Sequence, residues 1–597
     1  MCGILGYAGP PAAAPLLAPG AARLLSHRGP DGAGEHAWRG EAASWQLAHT
    51  RLAIVDLSDA GAQPMTVGDG SLTMVFNGEI YNAPELRRYC EAKGRTFRSA
   101  MDGEVILHLW EMEGPACLAR LNGIFALAVA STVTGDVVLA RDPLGVKPLF
   151  YVLPPDGSLW FGSEPAALEA VGAPVGEHDV AALAQFLTFL WVAGPRSPRA
   201  AVRALEPGHT LRWTPAGAAH ARFVPPLVPA PAGEPSPPNV VEEAGERLRA
   251  AAARQLLADV PIGLMASGGV DSGLLWWAGR GGLDRAYTIQ WAAGDDREGL
   301  ADDAHAVAGL ERRFGTPVTY LAGEEAHDVL PPSGDLLADP AYDLTRLIAR
   351  RAREHGHKVL WSGQGGDELF GGYRRHAVAP ILGSAGGREV GRRLEPLLRR
   401  LPARRLASEY AARLARAASE RDPFRAYMHL CSYSTGVERA EALGCTEREV
   451  ADDVVWQRHQ AVYDALPAGL PFLRKAMAID LAVYLPGLGL AYADRAGMEF
   501  GVEIRVPWLD LELVRWSLQL PDGALVRWGR GKWAPRELAA GVLGKEIAHR
   551  PKRAFAAPAA RVGQEAGHGD RGFRQGAYFA RARRILDAYL SRETRVA

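Results

Sequence analysis

A proline-rich stretch divides this chain of 597 residues into two parts whose sequence patterns differ. Residues 225–238 read PPLVPAPAGEPSPP, which has no apolar period and is typical of a semi-rigid extended linker. The chain is also too long for one hydrophobic core. We therefore predict a first domain at 2–224, a second domain at 239–560 and a helical tail at 561–597.

The part before the linker has the pattern of a sheet-rich domain. Strand-like runs lie between turn signals, namely SLTMVFNGEIY, GIFALAVAS, GDVVLARD, KPLFYVL and SLWFGSE. Two other runs, LLAPGAARLLSH and APELRRYCEAKG, have helical spacing. We expect an α+β domain with extensive sheet.

After the linker, helical segments alternate with short buried strands. The strand-like runs PIGLMA, RAYTIQW, PVTYLA and HKVLW predict a parallel sheet with helices on both faces. From about residue 377 the pattern is mostly helical. Near the C-terminus, YFARARRILDAYL has the apolar spacing of a docked helix. The apolar positions are Phe579, Ala582, Leu586 and Tyr589.

Net charge and cysteine content narrow the class of protein. The 67 basic and 68 acidic side chains give a net charge of -1, so no global field favours nucleic acid or an anionic membrane. Five cysteines without CxxC spacing indicate neither a disulfide framework nor a zinc site. The N-terminus has no basic region of the kind that signal peptides carry. We expect a cytoplasmic protein with small-molecule substrates, and neither nucleic acid nor a membrane as partner.

Two glycine-rich loops follow predicted strands of the second domain. In PIGLMASGGVDSGLLWW, a strand, a glycine turn and a helix N-terminus come in succession, so backbone N–H groups and the helix dipole face an anion. SGG alone fits a tight turn capped by Ser272 or Asp271 at least as well. The second loop, WSGQGGDELFGGY, carries Asp367 and Glu368, which also fit a capped turn.

The hexapeptide SGGVDS resembles the pyrophosphate-binding loop of the ATP-pyrophosphatase family of adenylating enzymes. The resemblance implies that ATP is cleaved between its α and β phosphates and that Mg²⁺ offsets the charge of the departing pyrophosphate. Asp271 and Asp367 are then the metal ligands, at the carboxyl ends of two parallel strands. The implied pyrophosphate contacts are Ser267, Gly268, Gly269, Asp271 and Ser272.

The first five residues, MCGIL, place Cys2 where removal of Met1 would expose its α-amine. A thiol beside its own amine has a built-in general base, although a single cysteine is more often a small buried residue. The segments SHRGPDG, AHTRLAIVDLSDAGAQPM, FNGEIYN, MDGEVIL and RDPLGVKPLFY resemble the glutaminase domain of class II glutamine amidotransferases. That resemblance implies an Ntn-hydrolase-type αββα sandwich in which Cys2 attacks glutamine.

The class II resemblance also assigns roles to five further residues. Asn77 and the N–H of Gly78 would form the oxyanion hole. Arg51 would bind the α-carboxylate of glutamine, and Glu79 and Asp102 its α-ammonium. Taken singly, these residues also fit structural roles, since Arg51 suits a surface ion pair, Asn77 and Gly78 a hairpin turn, and Asp102 a helix cap.

The order of the two domains resembles glutamine-dependent asparagine synthetase from Cys2 to about Pro558. The match is carried by FGSEPAAL, VPIGLMASGGVDS, GGDELFGGY, DRAGMEFGVEIRVPWLD and GKWAPRELAAGVLGKEIAHRPKRAF. It implies a C-terminal α/β parallel sheet of the adenine nucleotide alpha hydrolase-like (ATP pyrophosphatase) type with a helical C-terminal part. Homodimerisation is implied by the family alone.

The same resemblance places further residues in the second site. Lys532 would steady charge on the reacting phosphate and the tetrahedral intermediate. Asp494 and Arg505 fit either closure of that site or a packed ion pair. The implied nucleotide contacts are Met265, Ile289, Ser362 and Gly363.

The implied reaction has two coupled halves. Cys2 releases ammonia from glutamine, ATP and Mg²⁺ convert an acceptor carboxylate into an acyl adenylate, and ammonia crosses inside the protein to attack it. With aspartate as the default acceptor, the products are asparagine, glutamate, AMP and pyrophosphate. A glutaminase with a decayed synthetase half is a different class, and the intact Asp271, Asp367 and Lys532 argue against it.

Gln364 departs from the family pattern, in which this loop carries an acid, as in SGEGGDE. The family's acid takes a proton from the attacking ammonia, which an amide cannot do. Either Gln364 hydrogen-bonds the acyl group while Glu368 or a phosphate oxygen takes the proton, or the acceptor is not aspartate. The segment DPAYDLTRL departs too, with Ala341 and Asp343 where the family commonly has Ser and Pro. Both departures favour the alternative of a natural-product tailoring amidotransferase that amidates another carboxylic acid.

Overall fold

The computed structural model describes residues 2–11, 17–231, 238–291, 301–327, 329–399, 406–551 and 574–593. Within the predicted linker, residues 232–237 lie outside this part of the chain. Residues 561–573 and 594–597 of the predicted tail also lie outside it.

The first domain is a sandwich of two antiparallel sheets. Its strands are β1 (Gly3–Gly9), β2 (Gly32–Arg39), β3 (Ser44–Arg51), β4 (Met65–Val67), β5 (Leu72–Ile80), β6 (Gly123–Ser131), β7 (Val137–Arg141), β8 (Phe150–Val152), β9 (Leu159–Gly162), β10 (Arg203–Ala204), β11 (His209–Thr214) and β12 (Gly217–Arg222). The order is β10-β8-β9-β1-β3-β2 in one sheet and β12-β11-β7-β6-β5-β4 in the other. The helices are α1 (Ala83–Ala92), α2 (Glu104–Glu113), α3 (Pro165–Ala170) and α4 (Val180–Phe189), with 3-10 turns at Ala21–Leu25, Asp59–Gly61 and Gly114–Arg120.

Three hydrophobic layers hold the sandwich together. The facing sheets bury Trp45, Phe161 and Trp213 between them. On one outer face, α1 and α2 pack through Leu86 and Ile106. On the other, the 3-10 turn Ala21–Leu25 and α3 cover the sheet that contains β1. Because each sheet is covered on both faces except at its exposed edge strand, β2 or β12, the predicted αββα sandwich is confirmed.

The sequence patterns missed the first strands of the sandwich. Glycines in β1 and β2 weaken a strand signal. Gly6 is nonetheless required, because a Cβ there would lie 2.1 Å from the Phe161 ring. The run LLAPGAARLLSH, predicted to be a helix, forms only the 3-10 turn Ala21–Leu25 in its described part. Gly20, which precedes the turn, has a φ of 84°, a conformation that no α-helix contains.

The second domain is built on five parallel strands. They are β13 (Ile262–Met265), β14 (Arg285–Gln290), β15 (Val318–Ala322), β16 (Val359–Trp361) and β17 (Glu503–Arg505), in the order β15-β14-β13-β16-β17. The chain runs outward from β13 to β15 and returns on the other side to β16, so the strand order reverses between β13 and β16. Ligands of open parallel sheets bind at the carboxyl ends of the strands at such a reversal.

The helices of the second domain surround this sheet. They are α5 (Val240–Gln255), α6 (Val270–Ala278), α7 (Ala301–Phe314), α8 (Ala341–Glu354), α9 (Gly366–Phe370), α10 (Arg374–Gly383), α11 (Ala385–Arg399), α12 (Leu406–Ser419), α13 (Pro423–Cys431), α14 (Gly436–Leu443), α15 (Asp452–Val455), α16 (Gln457–Asp464), α17 (Phe472–Ile479), α18 (Leu490–Met498), α19 (Leu511–Ser517), α20 (Asp522–Leu525), α21 (Trp533–Val542), α22 (Lys545–His549) and α23 (Arg574–Glu593). A π-helix, Asp480–Gly489, joins α17 to α18, 3-10 turns form at Gly323–Glu325 and Pro507–Leu509, and a short hairpin pairs β18 (Val526–Arg527) with β19 (Arg530–Gly531).

Both faces of the parallel sheet are covered, as predicted. One face packs on α5 and α6 through Leu264 and Trp361. The other packs on α8 and α18 through Tyr287 and Leu360. The sequence patterns missed β17, because a three-residue strand with charged ends, Glu503–Arg505, does not look like a buried edge strand.

One run in the described chain is long and apolar enough to cross a membrane. It is Phe472–Met498, which comprises α17, the π-helix and α18, and 67% of its most apolar window is buried inside the protein. This run therefore supplies core surface rather than a membrane span.

The C-terminal helix α23 contacts both halves of the molecule. Ala582 and Leu586 are buried against Leu187 of α4, in the first domain. Arg581 donates through Nε to the carbonyl of Ala338 at 2.8 Å and pairs with Asp343 of α8, in the second domain. Asp343, one of the departures from the family pattern, thus has a structural partner on this helix.

Leu586→Ala should loosen α23 from α4, because truncating a buried leucine removes about 2–5 kcal/mol of packing. Hydrogen exchange should rise across residues 574–593, whereas Asp587→Ala, an exposed change on the same helix, should leave exchange unchanged. Equal exchange in both variants would show that Leu586 does not hold the helix.

Candidate functional site

Cys2 lies directly before β1, at the centre of its sheet. Its backbone nitrogen donates to Oδ1 of Asn77 at 2.9 Å, and its carbonyl accepts from Nε of Arg28 at 3.2 Å. The thiol is buried, and burial raises its pKa, while the charges of Glu79 and Arg51 also act on it. The structure thus places Cys2 beside three of the residues predicted for the glutaminase site.

Asn77 and Gly78 lie inside β5 rather than in a hairpin turn. Nδ2 of Asn77 is buried and has no hydrogen-bond partner among the described residues, so it is free to donate to a reacting oxygen. A Cβ on residue 78 would lie 2.0 Å from the carbonyl oxygen of Ile124, so only glycine lets the two strands approach here.

Arg51, at the end of β3, is held by main-chain carbonyls rather than by a surface acid. Its Nη1 donates to the carbonyl of Ser58 at 2.6 Å, and Nη2 donates to the carbonyl of Asp56. Arg51 makes no hydrogen bond to a carboxylate in the part of the chain that the structure describes, which suits a site for an anionic substrate group.

The two acids of this site differ in their surroundings. Oδ2 of Asp102 accepts from the N–H of Ile80 at 2.5 Å, and burial raises the pKa of Asp102 to about 6. Burial and the nearby charges of Asp102 and Glu503 raise the pKa of Glu79 well above its usual range. Asp102 is therefore the better carrier of negative charge near neutral pH.

The SGGVDS loop joins β13 to α6 in the predicted strand, turn and helix order. The N–H of Ser267 donates to Oγ of Ser272 at 3.1 Å, and the two hydroxyls lie 3.0 Å apart. Gly268 has a φ of 65°, and a Cβ there would lie 2.7 Å from the carbonyl oxygen of Asp303. The turn closes on itself and leads into the N-terminus of α6, beside Gly269.

Lys532 lies between the two predicted metal ligands. Its Nζ is 2.5 Å from Oδ2 of Asp271 and 2.7 Å from Oδ1 of Asp367. Lys532 is buried and has a φ of 61°, so the backbone is strained where it points this side chain inward. The structure therefore brings together the first turn of α6, the first turn of α9 and the residue that precedes α21.

The remaining predicted nucleotide contacts lie at neighbouring strand ends. Met265 ends β13, Ile289 lies near the end of β14, and Ser362 and Gly363 follow β16. A Cβ on Gly363 would lie 3.1 Å from Cβ of Asp271, so the two loops are in close contact. All four residues are at the carboxyl edge of the sheet, where its strand order reverses.

Gln364 faces the π-helix. Its Nε2 donates to the carbonyl of Gly489 at 2.9 Å, whereas its Oε1 is buried and has no partner among the described residues. A carboxylate at position 364 would place a second hydrogen-bond acceptor against the carbonyl oxygen of Gly489. Nearby, Glu368 accepts from the hydroxyl of Tyr373 at 2.7 Å, and burial and Asp367 raise the pKa of Glu368 to about 7.

A buried arginine links the glutaminase site to the second domain. Arg28 contacts Cys2 and also donates through Nη1 to Glu164 at 2.9 Å. Its Nη1 and Nη2 donate to the two carboxylate oxygens of Asp494 at 3.0 and 3.1 Å. Arg28 and Arg495 lower the pKa of Asp494 against the effect of its burial.

Arg505 forms a second link from β17. Its Nη1 donates to the carbonyls of Gln255 and Leu257 at 2.8 and 2.7 Å, and its Nη2 lies 3.3 Å from Oε1 of Glu79. Nε of Arg505 pairs with Glu503. Asp494 and Arg505 thus form packed ion pairs, one of the two interpretations that the sequence left open.

Both halves of the chain match known protein families. The family model for a glutamine amidotransferase domain matches residues 1–224, and the asparagine synthase model matches residues 243–584. A putative glutamine-hydrolysing asparagine synthetase of Mycobacterium tuberculosis is 31% identical over 590 residues, covering 94% of this chain and 88% of that protein. This chain belongs to the glutamine-hydrolysing asparagine synthetase family.

Relatives in other organisms agree. Asparagine synthetase 1 of Bacillus subtilis is 27% identical over 573 residues, covering 90% of this chain and 83% of that protein. Asparagine synthetase 3 of Arabidopsis thaliana is 32% identical over 380 residues, covering 60% and 58% of the two chains. The protein is therefore an amidotransferase of the asparagine synthetase type, as its sequence predicted, and its synthase domain implies the use of ATP.

Sequence reasoning missed the residues that join the two centres of this synthetase-type enzyme. Each of these residues lies within a motif that the sequence analysis recognised, but its ion-pair partner across the molecule is distant in the chain. These residues are Arg28, Lys147, Glu164 and Glu503.

The pKa of Asp102 predicts a pH effect on glutamine use. A carboxylate that receives the α-ammonium of glutamine must be ionised, so kcat/KM for glutamine should fall as pH drops through about 6. Asp102→Asn should lower kcat/KM about 10- to 100-fold at pH 7.5 and remove that inflection. A mutant profile that keeps the inflection near pH 6 would assign it to another group.

Proposed function

We propose that this enzyme amidates a small carboxylic acid, with ATP as the energy source and with ammonia that Cys2 releases from glutamine. The observation that carries the proposal is the convergence of Asp367 and Lys532 with Asp271, the acid of the SGGVDS loop. An anion-binding turn, two carboxylates and a lysine at one strand reversal suit adenylation of an acid.

The glutaminase half acts through Cys2. Once Met1 is removed, the nitrogen that now donates to Asn77 becomes an α-amine, which takes the thiol proton. Nδ2 of Asn77 and the N–H of Gly78 then stabilise the oxyanion. Arg51 binds the α-carboxylate of glutamine.

The two acids divide the recognition of the α-ammonium. Because burial and the charges of Asp102 and Glu503 raise its pKa well above the usual range, Glu79 contributes less negative charge than Asp102. Asp102 carries the negative charge.

In the synthetase half, the acceptor carboxylate attacks the α-phosphorus of ATP and pyrophosphate leaves. Ser267, Gly268, Gly269 and Ser272 hold the pyrophosphate, and Lys532 steadies charge on the reacting phosphate. The nucleotide contacts are Met265, Ile289, Ser362 and Gly363.

Asp271 and Asp367 fit Mg²⁺, which proteins commonly bind through one or two carboxylates together with substrate phosphates. Both acids reach the same Nζ of Lys532, and Oδ1 of Asp271 is buried without a partner among the described residues. When bound, Mg²⁺ offsets the charge of the phosphates. The two side chains would hold it.

Ammonia then attacks the acyl adenylate, which releases AMP. Gln364 is not the base, since an amide does not accept a proton at neutral pH and its Nε2 is committed to Gly489. The proton goes to Glu368 or to a phosphate oxygen. Aspartate is the default acceptor, and the neutral Gln364 favours a different carboxylic acid as the second candidate. Cytoplasmic location remains a prediction from the cysteine content and the N-terminal sequence, and homodimerisation a prediction from the family resemblance.

The proposal is tested by pyrophosphate release from ATP and Mg²⁺, with glutamine or ammonium and with or without aspartate. Aspartate should stimulate release and yield asparagine. Cys2→Ala should abolish glutamine-driven synthesis and leave ammonium-driven synthesis intact, because only the first half-reaction needs the thiol. Asp367→Asn should abolish pyrophosphate release and spare glutaminase activity.

The same assay with other small carboxylic acids separates the two candidate acceptors. Pyrophosphate release that does not depend on aspartate but increases with another acid would establish the tailoring amidotransferase. Loss of ammonium-driven synthesis in Cys2→Ala would refute the division of labour, and no release with any acid would refute the proposed function.

A further inference from the structure

The π-helix Asp480–Gly489 forms one wall beside Gln364. Its wide turn is shown by the N–H of Leu490, which donates five residues back, to the carbonyl of Leu485. The carbonyl of Gly489 accepts from Nε2 of Gln364 at 2.9 Å, which fixes the orientation of the amide. The opposite atom, Oε1, is then a buried acceptor without a partner among the described residues. π-Helical turns of this kind are common at functional sites.

Trp191 of the first domain presses on the other side of this π-helix. Trp191 is 2% exposed, and a Cβ on Gly487 would lie only 2.0 Å from its ring. The indole also meets the ring of Tyr484 edge-on, with centroids 6.2 Å apart. The backbone of Trp191 pairs with Leu337, so the indole is held between the two halves of the molecule.

A second set of contacts continues from the same wall to the acidic loop. Tyr484 meets Tyr373 edge-on, with ring centroids 5.5 Å apart. The hydroxyl of Tyr373 donates to Glu368 at 2.7 Å. The π-helix therefore touches the loop at Gln364 and, through Tyr373, at Glu368.

We propose that Trp191, a residue of the glutaminase half, is a positioning residue for amide formation in the synthetase half. Its ring holds the π-helix so that the carbonyl of Gly489 directs Oε1 of Gln364 toward the acyl adenylate and the incoming ammonia. Oε1 accepts a hydrogen bond from the nucleophile and orients it for attack. This inference rests on the proposed function, which places the adenylate beside Gln364.

The test is a double-mutant cycle on ammonium-driven pyrophosphate release, with the acid that supports release in the wild type. Trp191→Ala should lower kcat about tenfold in the wild-type background, since small misplacements of reacting groups are costly. In the Gln364→Met background the same change should cost less than about twofold, because the group that Trp191 positions is already gone. A merely structural role would slow both backgrounds by the same factor.

Trp191→Phe and Gly487→Ala each change one partner of the contact between Trp191 and Gly487. Trp191→Phe keeps an aromatic ring against Gly487 and should stay within about twofold of the wild type. Gly487→Ala places a methyl group against the indole and should slow release, but should add no further loss to Trp191→Ala. Glutaminase activity reports whether the variants fold and should stay unchanged.

Hydrogen exchange gives a readout that is independent of the acceptor. In Trp191→Ala, exchange should rise both in residues 480–490 and in residues 362–373. Equal slowing in both Gln364 backgrounds, or unchanged exchange in residues 362–373, would overturn the inference. Absence of acceptor-dependent release in the wild type would instead refute the proposed function, and the exchange result would still decide the role of Trp191.

Discussion

The buried guanidinium of Arg28 is the contact on which the arrangement of the two sites depends. It holds the carbonyl of Cys2, the carboxylate of Glu164 and both oxygens of Asp494 at once. A buried charge is costly unless its partners are in place, so one side chain ties Cys2 and its sheet to the second domain. The contact with Cys2 and the contact between the domains therefore share the Arg28 side chain.

Arg505 is a second buried arginine that links the two domains, and it extends from the synthetase side. It extends from the strand beside β16, whose loop carries Gln364 and Asp367, and it reaches Glu79 of the glutaminase site. Two backbone carbonyls, the carboxylate of Glu503 and the ring of Tyr81 also lie against its guanidinium. Together with Trp191 and α23, which also contact both halves, these links join two centres that must exchange ammonia without releasing it to water, where most of it would be protonated.

Local patterns revealed more of this enzyme than long-range contacts did. The alternation that leads to β13 and β16, and the SGGVDS loop between strand and helix, depend on neighbours in the chain and were predictable. The charged strand β17 and the glycine-bearing β1 were not, because their burial depends on partners such as Phe161 and Glu79 elsewhere in the fold. The role of Arg28 could not be read either, since its partner Asp494 is 466 residues away. For the same reason, the sequence showed only that Gln364 replaces an acid. Its hydrogen bond to the carbonyl of Gly489 became apparent only in the structure.

The most direct test of whether the buried Arg28–Asp494 ion pair couples the two sites is the amount of amide formed per glutamine hydrolysed. It is measured with all substrates saturating, in the wild type and in Asp494→Asn. Removing one partner of a buried ion pair disturbs the contact without touching either set of reacting groups. The account predicts nearly equal amounts of amide and glutamate in the wild type. In Asp494→Asn, glutaminase and ammonium-driven synthesis should each persist while the ratio falls well below one. An unchanged ratio in the variant would contradict the claim that this interface couples the two sites.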